Sequence, residues 1–277
     1  MKPCEPPDVA APRGAHASDA QAGTAAPDVS VVVPLFRNAE TLPELCRRLL
    51  QVLEAAGLSC EVVLVDDCSP DGTPAVAERL VGEDLRLGLV ALDRNVGQHR
   101  AVLAGLNHAR GSRAVVLDGD LQDRPEFIPT LLARAQEGFD AVFAGRRGRY
   151  QSLHRTFTSF VYKSIQHVLC GVPGDAGMFI VLSRRLVERL VDFGGSHRLT
   201  VPTLIGLSGM PCTSVPMVRP RRPTGRSSYS SLRRFSLGIA NILAILRWRC
   251  LPSARTGSSP RMGVARRLGA CRREALE

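Results

Sequence analysis

The sequence has no C-x-x-C pair and no short Cys/His cluster; its eight cysteines, Cys4, Cys46, Cys60, Cys68, Cys170, Cys212, Cys250 and Cys271, are scattered along 277 residues. That spacing excludes the usual structural zinc site. The chain is too long for a small disulfide scaffold, and its start has no apolar run that could serve as a signal peptide. Reduced thiols in a cytoplasmic protein are expected. Spanning a bilayer takes about 20 apolar residues, whereas the run Phe235 to Leu246 offers twelve without a charge. No internal repeat recurs at a fixed period. Acidic residues are scarce at one end, where residues 219 to 277 hold 14 Arg against 2 Glu.

With 44% hydrophobic and 22% charged residues, the composition is that of a globular protein with a sizeable core, not a fibrous or wholly disordered chain. The 36 Lys+Arg and 26 Asp+Glu leave +10 overall, yet the first 218 residues carry 22 basic and 24 acidic groups. A nucleic-acid binder is basic over its body. This chain is basic only in its tail, and the tail lacks base-stacking aromatics, so nucleic acid is not an expected partner.

Residues 1 to 28, rich in Ala, Pro, Asp and Gly without periodicity, read as a disordered leader. A β-branched run, Val29-Ser30-Val31-Val32-Val33 ended by Pro34, reads as a buried strand. Thr41-Leu42-Pro43-Glu44 then opens a helix, with Thr41 as cap and Leu42, Leu45, Leu49 and Leu53 on its apolar face. The alternation repeats with strand Glu61 to Val65, turn Ser69-Pro70-Asp71-Gly72, and a helix capped by Thr73. Further apolar runs lie at 87–92, 114–117 and 140–144, separated by helical stretches near 98–109 and 125–137. Strands alternating with helices imply an α/β fold with a mostly parallel sheet covered on both faces. In such sheets ligands bind beyond the carboxyl ends of the strands.

Two polar sets stand there. Asp66-Asp67 follows the second strand; the pair suits ligand binding and equally suits a loop that accepts backbone hydrogen bonds. Asp118-Gly119-Asp120-Leu121-Gln122 follows the run 114–117. If the segment is extended, Asp118, Asp120 and Gln122 share a face as oxygen ligands, a set suited to Mg²⁺ or Mn²⁺ that keeps water or phosphate on its open positions.

The ordered segments Val31-Val32-Val33-Pro34, Val65-Asp66-Asp67-Cys68-Ser69-Pro70-Asp71-Gly72-Thr73, Arg94-Asn95-Val96-Gly97-Gln98-His99, Ala104-Gly105-Leu106, Leu117-Asp118-Gly119-Asp120-Leu121-Gln122-Asp123 and Gly225-Arg226-Ser227-Ser228-Tyr229 resemble family-2 glycosyltransferases. Within that family they resemble the polyprenyl-phosphate sugar transferases. Gln98-His99 is similar to the bacterial aminoarabinose-transferase branch. The resemblance implies a GT-A type fold, a Rossmann-like, mostly parallel sheet flanked by helices. It implies a nucleotide-sugar donor contacted by Pro34, Asp66 and Asp67, with Arg94, Asn95 and Gly97 on a loop at the same pocket. It implies a metal at Asp118, Asp120 and Gln122, bridging the donor diphosphate. The basic loop holding Arg219, Arg222, Arg226 and Ser227 would close over the diphosphate and acceptor phosphate, where planar guanidinium forks suit phosphate oxygens. Asp175 falls near the acceptor as a base or positioning group; a turn aspartate beside Gly174 is the plainer reading of the same residue. Catalysis would thus rest on Asp120, Asp175 and Arg222.

A polyprenyl phosphate acceptor has a second pKa of about 6 and is anionic near neutrality, so it needs cations more than a base. It also requires a membrane surface. Tyr150, Leu153, Phe157, Phe160, Val161, Ile165 and Val168 recur at helical steps with cations between them, suited to an interface or to ordinary packing. Residues 233–249, a short apolar helix flanked by arginines, would associate with an anionic leaflet. The expected organisation is a glycosyltransferase domain over 29–232, that helix, and a disordered basic tail over 250–277, at the cytoplasmic face of the membrane. The chain departs from the family at Phe36-Arg37-Asn38, where Asn-Glu is usual after the aromatic, at Ser228 in place of a lysine, and at Ile180 in place of an arginine. A sugar hydroxyl as acceptor is the alternative within the class, and a catalytically inactive nucleotide-sugar binder the alternative outside it.

Overall fold

The structure, a computed structural model of the chain, describes residues 26–147, 167, 169–193, 199–218, 242–243, 245 and 264–269. Eight strands form one sheet: β1 (Val29–Leu35), β2 (Cys60–Asp66), β3 (Leu87–Leu92), β4 (Arg113–Val116), β5 (Ala141–Arg147), β6 (Ile180–Ser183), β7 (Cys212–Val218) and β8 (Val264–Gly269), in the order β7-β5-β6-β4-β1-β2-β3-β8. β4, β1, β2 and β3 are mutually parallel, as are β5 and β7; β6 and β8 pair antiparallel with their neighbours. This is the GT-A arrangement expected from the sequence.

The strands read as unbroken apolar runs because both faces are covered. Val32, Val63, Val65, Val116, Phe143 and Ile180 face α3 (Gln98–Leu106), α5 (Arg184–Asp192) and α6 (Val201–Leu207). Their alternates Val31, Val33, Val62, Leu64, Val115 and Val142 face α1 (Leu42–Ala55), α2 (Thr73–Glu83) and α4 (Ile128–Ala135). α3 lies so close to β1 and β2 that a Cβ on Gly105 would overlap a Val32 methyl and stand 2.7 Å from Val65 Cγ2.

Four local expectations are corrected. β1 does not end at Pro34 but runs to Leu35, paired with Asp66 of β2. Val29 N and Leu35 O bond toward β2, while Val32 O accepts from Leu117 N on the β4 side. By alternation Pro34 faces beyond the end of β4, where no ladder donor is required. Thr41 stands at the start of α1, but its hydroxyl does not cap that helix; it donates to Gly119 O at 2.7 Å. Gly72, not Thr73, is the N-cap of α2, and Asp71 Oδ1 accepts from the Thr73 amide and hydroxyl. Residues 264–269, expected within a disordered tail, form β8 along the edge of β3.

The end of the sheet away from the strand carboxyl termini is closed by structural polar groups. Glu61, buried, accepts from Ser30 Oγ at 2.6 Å, Arg110 N at 2.7 Å and Arg110 Nε at 2.9 Å. Asp140, also buried, holds Ser183 Oγ and the Arg185 guanidinium. Charge-assisted bonds of this kind satisfy carboxylates that would otherwise be costly to bury.

Residues 1–25 of the expected leader, most of the amphipathic stretch 150–168, most of the run 235–246 and most of the expected tail 250–277 lie outside the described residues, whereas Pro27 and Asp28, expected within the leader, accept from Ser112 N and Arg113 N. Ile245, from that run, is fully buried in the core cluster beside α3, while Leu243 is exposed. Among the described residues no helix is long and apolar enough to cross a membrane.

Two glycine substitutions test the packing. Gly82 in α2 has open space where a Cβ would go, so Gly82→Ala is expected to stabilise by about 0.5–1 kcal/mol through helix propensity. Gly105→Ala is expected to destabilise by about 1–3 kcal/mol through overpacking. Urea midpoints of the two variants check both signs.

Candidate active site

In a sheet of this order the chain runs from β1 outward through β2 and β3, then returns to place β4 on the other side of β1. The crevice beyond the ends of β1 and β4 is a topological switch point, the place where α/β sheets bind ligands. Four loops meet there, and they are tied into a closed ring. From the β1 loop, Arg37 N donates to Ser69 Oγ at 3.3 Å and Asn38 N to Thr73 Oγ1 at 2.8 Å, both after β2. From the β3 loop, Val96 N and Gly97 N donate to the two carboxylate oxygens of Asp67 at 2.6 and 2.9 Å, and Asn95 Nδ2 donates to Asp67 O at 3.1 Å. Gln98 Nε2, at the first turn of α3, donates to Asp118 Oδ1 after β4. The ring closes where Asn38 Nδ2 and Thr41 Oγ1 donate to Gly119 O, at 3.1 and 2.7 Å.

The loops reach these positions by unusual backbone. Arg37, Cys68 and Leu121 adopt left-handed φ of 61°, 53° and 59°, one in each of the loops after β1, β2 and β4. Non-glycine residues in this region cost of order 1 kcal/mol or more and persist where surrounding bonds over-determine them. Gly97, at φ 88°, caps α3 with its N–H aimed at Asp67.

Asp66 and Asp67 are both buried, and burial raises the pKa of each above the ordinary carboxylate value; hydrogen bonds from Ser69 to Asp66, and from Val96 and Gly97 to Asp67, pull the other way. Their roles differ. Both oxygens of Asp67 are engaged by backbone N–H groups, the loop-holding reading of the pair. Asp66 accepts from Ser69 N through Oδ2 at 3.2 Å, while its buried Oδ1 has no hydrogen-bond partner. A buried acceptor without a donor is costly unless a ligand supplies one.

The Asp118–Gln122 segment is not extended. β4 ends at Val116, Gly119-Asp120 form a turn, and Leu121 is left-handed. A turn, not a strand, carries these residues, so alternate side chains do not share a face. The Gln122 amide N–H donates to Asp120 Oδ1 at 3.1 Å, and buried Asp123 accepts from Asp118 N at 3.4 Å. Two carboxylates and an amide oxygen remain an all-oxygen set that fits a hard divalent ion. Among the described residues no group of three or more His, Cys, Asp or Glu converges on one point.

Asp175 lies in a turn before β6, where Ala176 N donates to Pro173 O at 3.0 Å, and its carboxylate rests against Gly145 of β5. Arg94 and Asn95 are exposed on the β3 loop; Pro34 is buried in β1. Arg219, Arg222, Arg226 and Ser227 lie outside the described residues. Sequence reasoning left out Gln98, Asn38, Thr41 and Ser69 as site-building residues. Gln98 carries a local signal, a polar residue directly after a helix-capping glycine; the bonds by which the other three join one loop to another reach dozens of positions away.

His99, beside Gln98, packs under α6 with Nδ1 accepting from Val201 N at 3.4 Å, and burial pushes its pKa down to about 4.

A family model described as glycosyl transferase family 2 matches residues 30–190. The undecaprenyl-phosphate 4-deoxy-4-formamido-L-arabinose transferase of Salmonella paratyphi B is 36% identical over 211 residues, covering 76% of this chain and 64% of that protein. Proteins of the same name from Salmonella newport and Salmonella agona match equally. The chain thus spans just under two thirds of the length of these relatives. Among solved structures, glucosyl-3-phosphoglycerate synthase from Mycobacterium tuberculosis, in complex with Mn²⁺, UDP and glucosyl-3-phosphoglycerate, superposes with a TM-score of 0.55 at 18% identity over 81% of this chain and 80% of that one. A mannosyltransferase from Pyrobaculum calidifontis, in complex with GDP-Man and Mn²⁺, gives 0.54 at 22% identity over 86% and 67%. At these identities the likeness is one of fold.

Two measurements test the site's construction. Asp67→Asn removes one acceptor and faces an amide toward the Val96 or Gly97 N–H, leaving a donor unpaired at about 1–3 kcal/mol. Amide exchange at Val96 and Gly97 is expected to quicken at least about tenfold while β3 is unchanged; unaltered exchange would contradict the ring. For His99, the ordinary value of 6.5 applies to the unfolded chain and about 4 to the native one. Between these values the unfolded state binds the extra proton, so stability falls as pH drops. Asp66 and Asp67, raised on folding, act in the opposite sense, so the difference between wild type and His99→Gln isolates the histidine. Wild type is expected to lose more Tm than His99→Gln from pH 7 to 4.5.

Proposed function

The chain belongs to glycosyl transferase family 2, and on that premise we propose that it moves a sugar, with inversion, from a nucleotide-diphosphate sugar to a polyprenyl phosphate at the cytoplasmic face of a membrane. The observation that carries the reading is the ring of loops at the switch point, which joins a buried, unsatisfied acceptor, Asp66 Oδ1, through shared hydrogen bonds to the turn that carries two carboxylates, Asp118 and Asp120. A nucleoside N–H satisfies the first, and a cation-bridged diphosphate suits the second. The name carried by the curated Salmonella relatives supports the lipid phosphate as acceptor.

In this reading each candidate residue has a role. Asp66 receives the nucleoside, with Pro34, opposite Val65 and one residue before the end of β1, as a further contact. Asp67, with Asn95 and Gly97, holds the β3 loop in place, and Arg94 stands exposed on that loop toward the donor. Asp118, Asp120 and Gln122 would hold Mg²⁺ or Mn²⁺; such an ion supplies Lewis-acid charge against the diphosphate as it leaves. Arg219, Arg222 and Arg226, with Ser227, would bind the acceptor phosphate and the departing diphosphate, whose charge grows in the transition state. An oxygen of the acceptor phosphate attacks the anomeric carbon, the bond to the diphosphate oxygen breaks, and nucleoside diphosphate leaves. The attacking oxygen is already anionic near neutrality, so no proton has to be removed. Asp175 orients the incoming phosphate or the sugar.

The test supplies UDP- and GDP-sugars labelled in the sugar, Mn²⁺ and polyprenyl phosphate. Label is expected in an acid-labile, solvent-extractable lipid, and Asp120→Ala is expected to lower its formation by about a hundredfold or more. Absence of lipid label with every donor would refute the acceptor. Full metal-dependent transfer by Asp120→Ala would refute the ion site.

A further inference from the structure

Several glycines leave no room for a side chain, and in most the obstacle is core or backbone. A Cβ on Gly105 meets valine methyls of β1 and β2; on Gly111 it meets Ser30 N at 2.6 Å; on Gly206 it meets the carbonyl oxygen of Cys170. These are packing requirements. Gly145 differs. The group its Cβ would strike is the carboxylate of Asp175, with Oδ2 nearest and Cγ at 2.7 Å. The obstacle is the free end of a short side chain, which can rotate away while both backbones stay in place.

The strand register locates this notch. Phe143 of β5 stands opposite Ile180 of β6, and Ile180 opposite Val116 of β4. Phe143 is thus level with Val116, the last residue of β4, two strand spacings or about 10 Å away, and Gly145 lies two residues further along β5 toward the carboxyl end of the sheet. Phe143 faces the α3 side of the sheet, so by alternation Gly145 does too, and α3 is the helix whose Gln98 reaches Asp118. The segment carrying Asp175 is fastened to β5 by the bond from Ala144 N to Phe179 O at 2.9 Å. The carboxylate therefore stands against β5 on the α3 face of the sheet, toward the carboxyl end and two strands from β4, whose following turn carries Asp118 and Asp120.

We propose that Gly145 is a positioning residue for sugar transfer: its missing side chain is the seat of the Asp175 carboxylate, and any substituent there turns that carboxylate out of the cleft. The inference rests on the transfer reading above. It predicts an effect that passes through Asp175 alone.

The experiment compares wild type, Gly145→Ala, Asp175→Ala and the double variant. It measures transfer kinetics, thermal melts and the ¹³C carboxylate signal of Asp175, identified by its loss in Asp175→Asn. Gly145→Ala is expected to shift that signal and to lower kcat about 10- to 100-fold, as a displacement near 1 Å does, with donor KM within about twofold. In the Asp175→Ala background the same change is expected to cost nothing further. Should Gly145→Ala melt early, the double variant is expected to melt normally, because the clash is gone. The proposal is overturned by an unmoved signal, by kcat retained within about twofold, by an equal loss in the Asp175→Ala background, or by full transfer from Asp175→Ala. If wild type transfers no sugar to any lipid phosphate, the functional reading falls, and a Gly145→Ala signal that still moves shows that the seat survives it.

Discussion

Asp67 is the residue on which the rest of the cleft depends. Its carboxylate, closed off from water at 3% exposure, is held by two backbone N–H groups at the start of α3. Burying a carboxylate is unfavourable unless hydrogen bonds replace its water, and here they come from the segment that must be placed. The bond fixes where α3 begins, the start of α3 fixes Gln98, and Gln98 reaches Asp118. From there Gly119 is tied to Asn38 and Thr41, and the β1 loop is tied back to the loop after β2. Four loops that are mobile elements in many α/β proteins are thereby made one rigid rim.

That rigidity explains why the rim tolerates three non-glycine residues in left-handed conformation. Strain of this kind collects at binding sites because preorganised groups lose little on meeting a ligand. It also separates two kinds of polar burial. At the amino end of the sheet Glu61 and Asp140 are fully matched by Ser30, Arg110, Ser183 and Arg185, and their role is to hold the fold. At the carboxyl end Asp66 retains an unmatched oxygen. Equal burial with unequal satisfaction separates the fold-holding carboxylates Glu61 and Asp140 from Asp66.

Much of this was legible in the sequence, for identifiable reasons. β1 to β5 and α1 to α4 announce themselves because parallel strands buried on both faces are continuous apolar runs, and because the α1 face repeats at helical spacing. The acidic pair and the D-x-D segment stand out because carboxylates at strand ends are conspicuous. What was not legible is long-range. Thr41 and Thr73 carry the signature of helix caps, yet their hydroxyls serve Gly119 and Asn38, partners that only the tertiary fold brings near. The Asp118 segment looks extended by its spacing, but Leu121 turns it. β8 has a basic, loop-like composition and is a strand because the free edge of β3 accepts it. Gly145 gives no local hint of Asp175, thirty residues on.

The central claim is that donor and cation occupy the rim between Asp66 and the Asp118–Asp120 turn. Crystals of the chain soaked with Mn²⁺ and a nucleoside diphosphate, measured at the manganese edge, test it directly. The account predicts an anomalous peak at coordination distance from Asp120 and Asp118, with the nucleoside base against Asp66 Oδ1. A peak elsewhere, or a nucleoside lying away from Asp66, would contradict it.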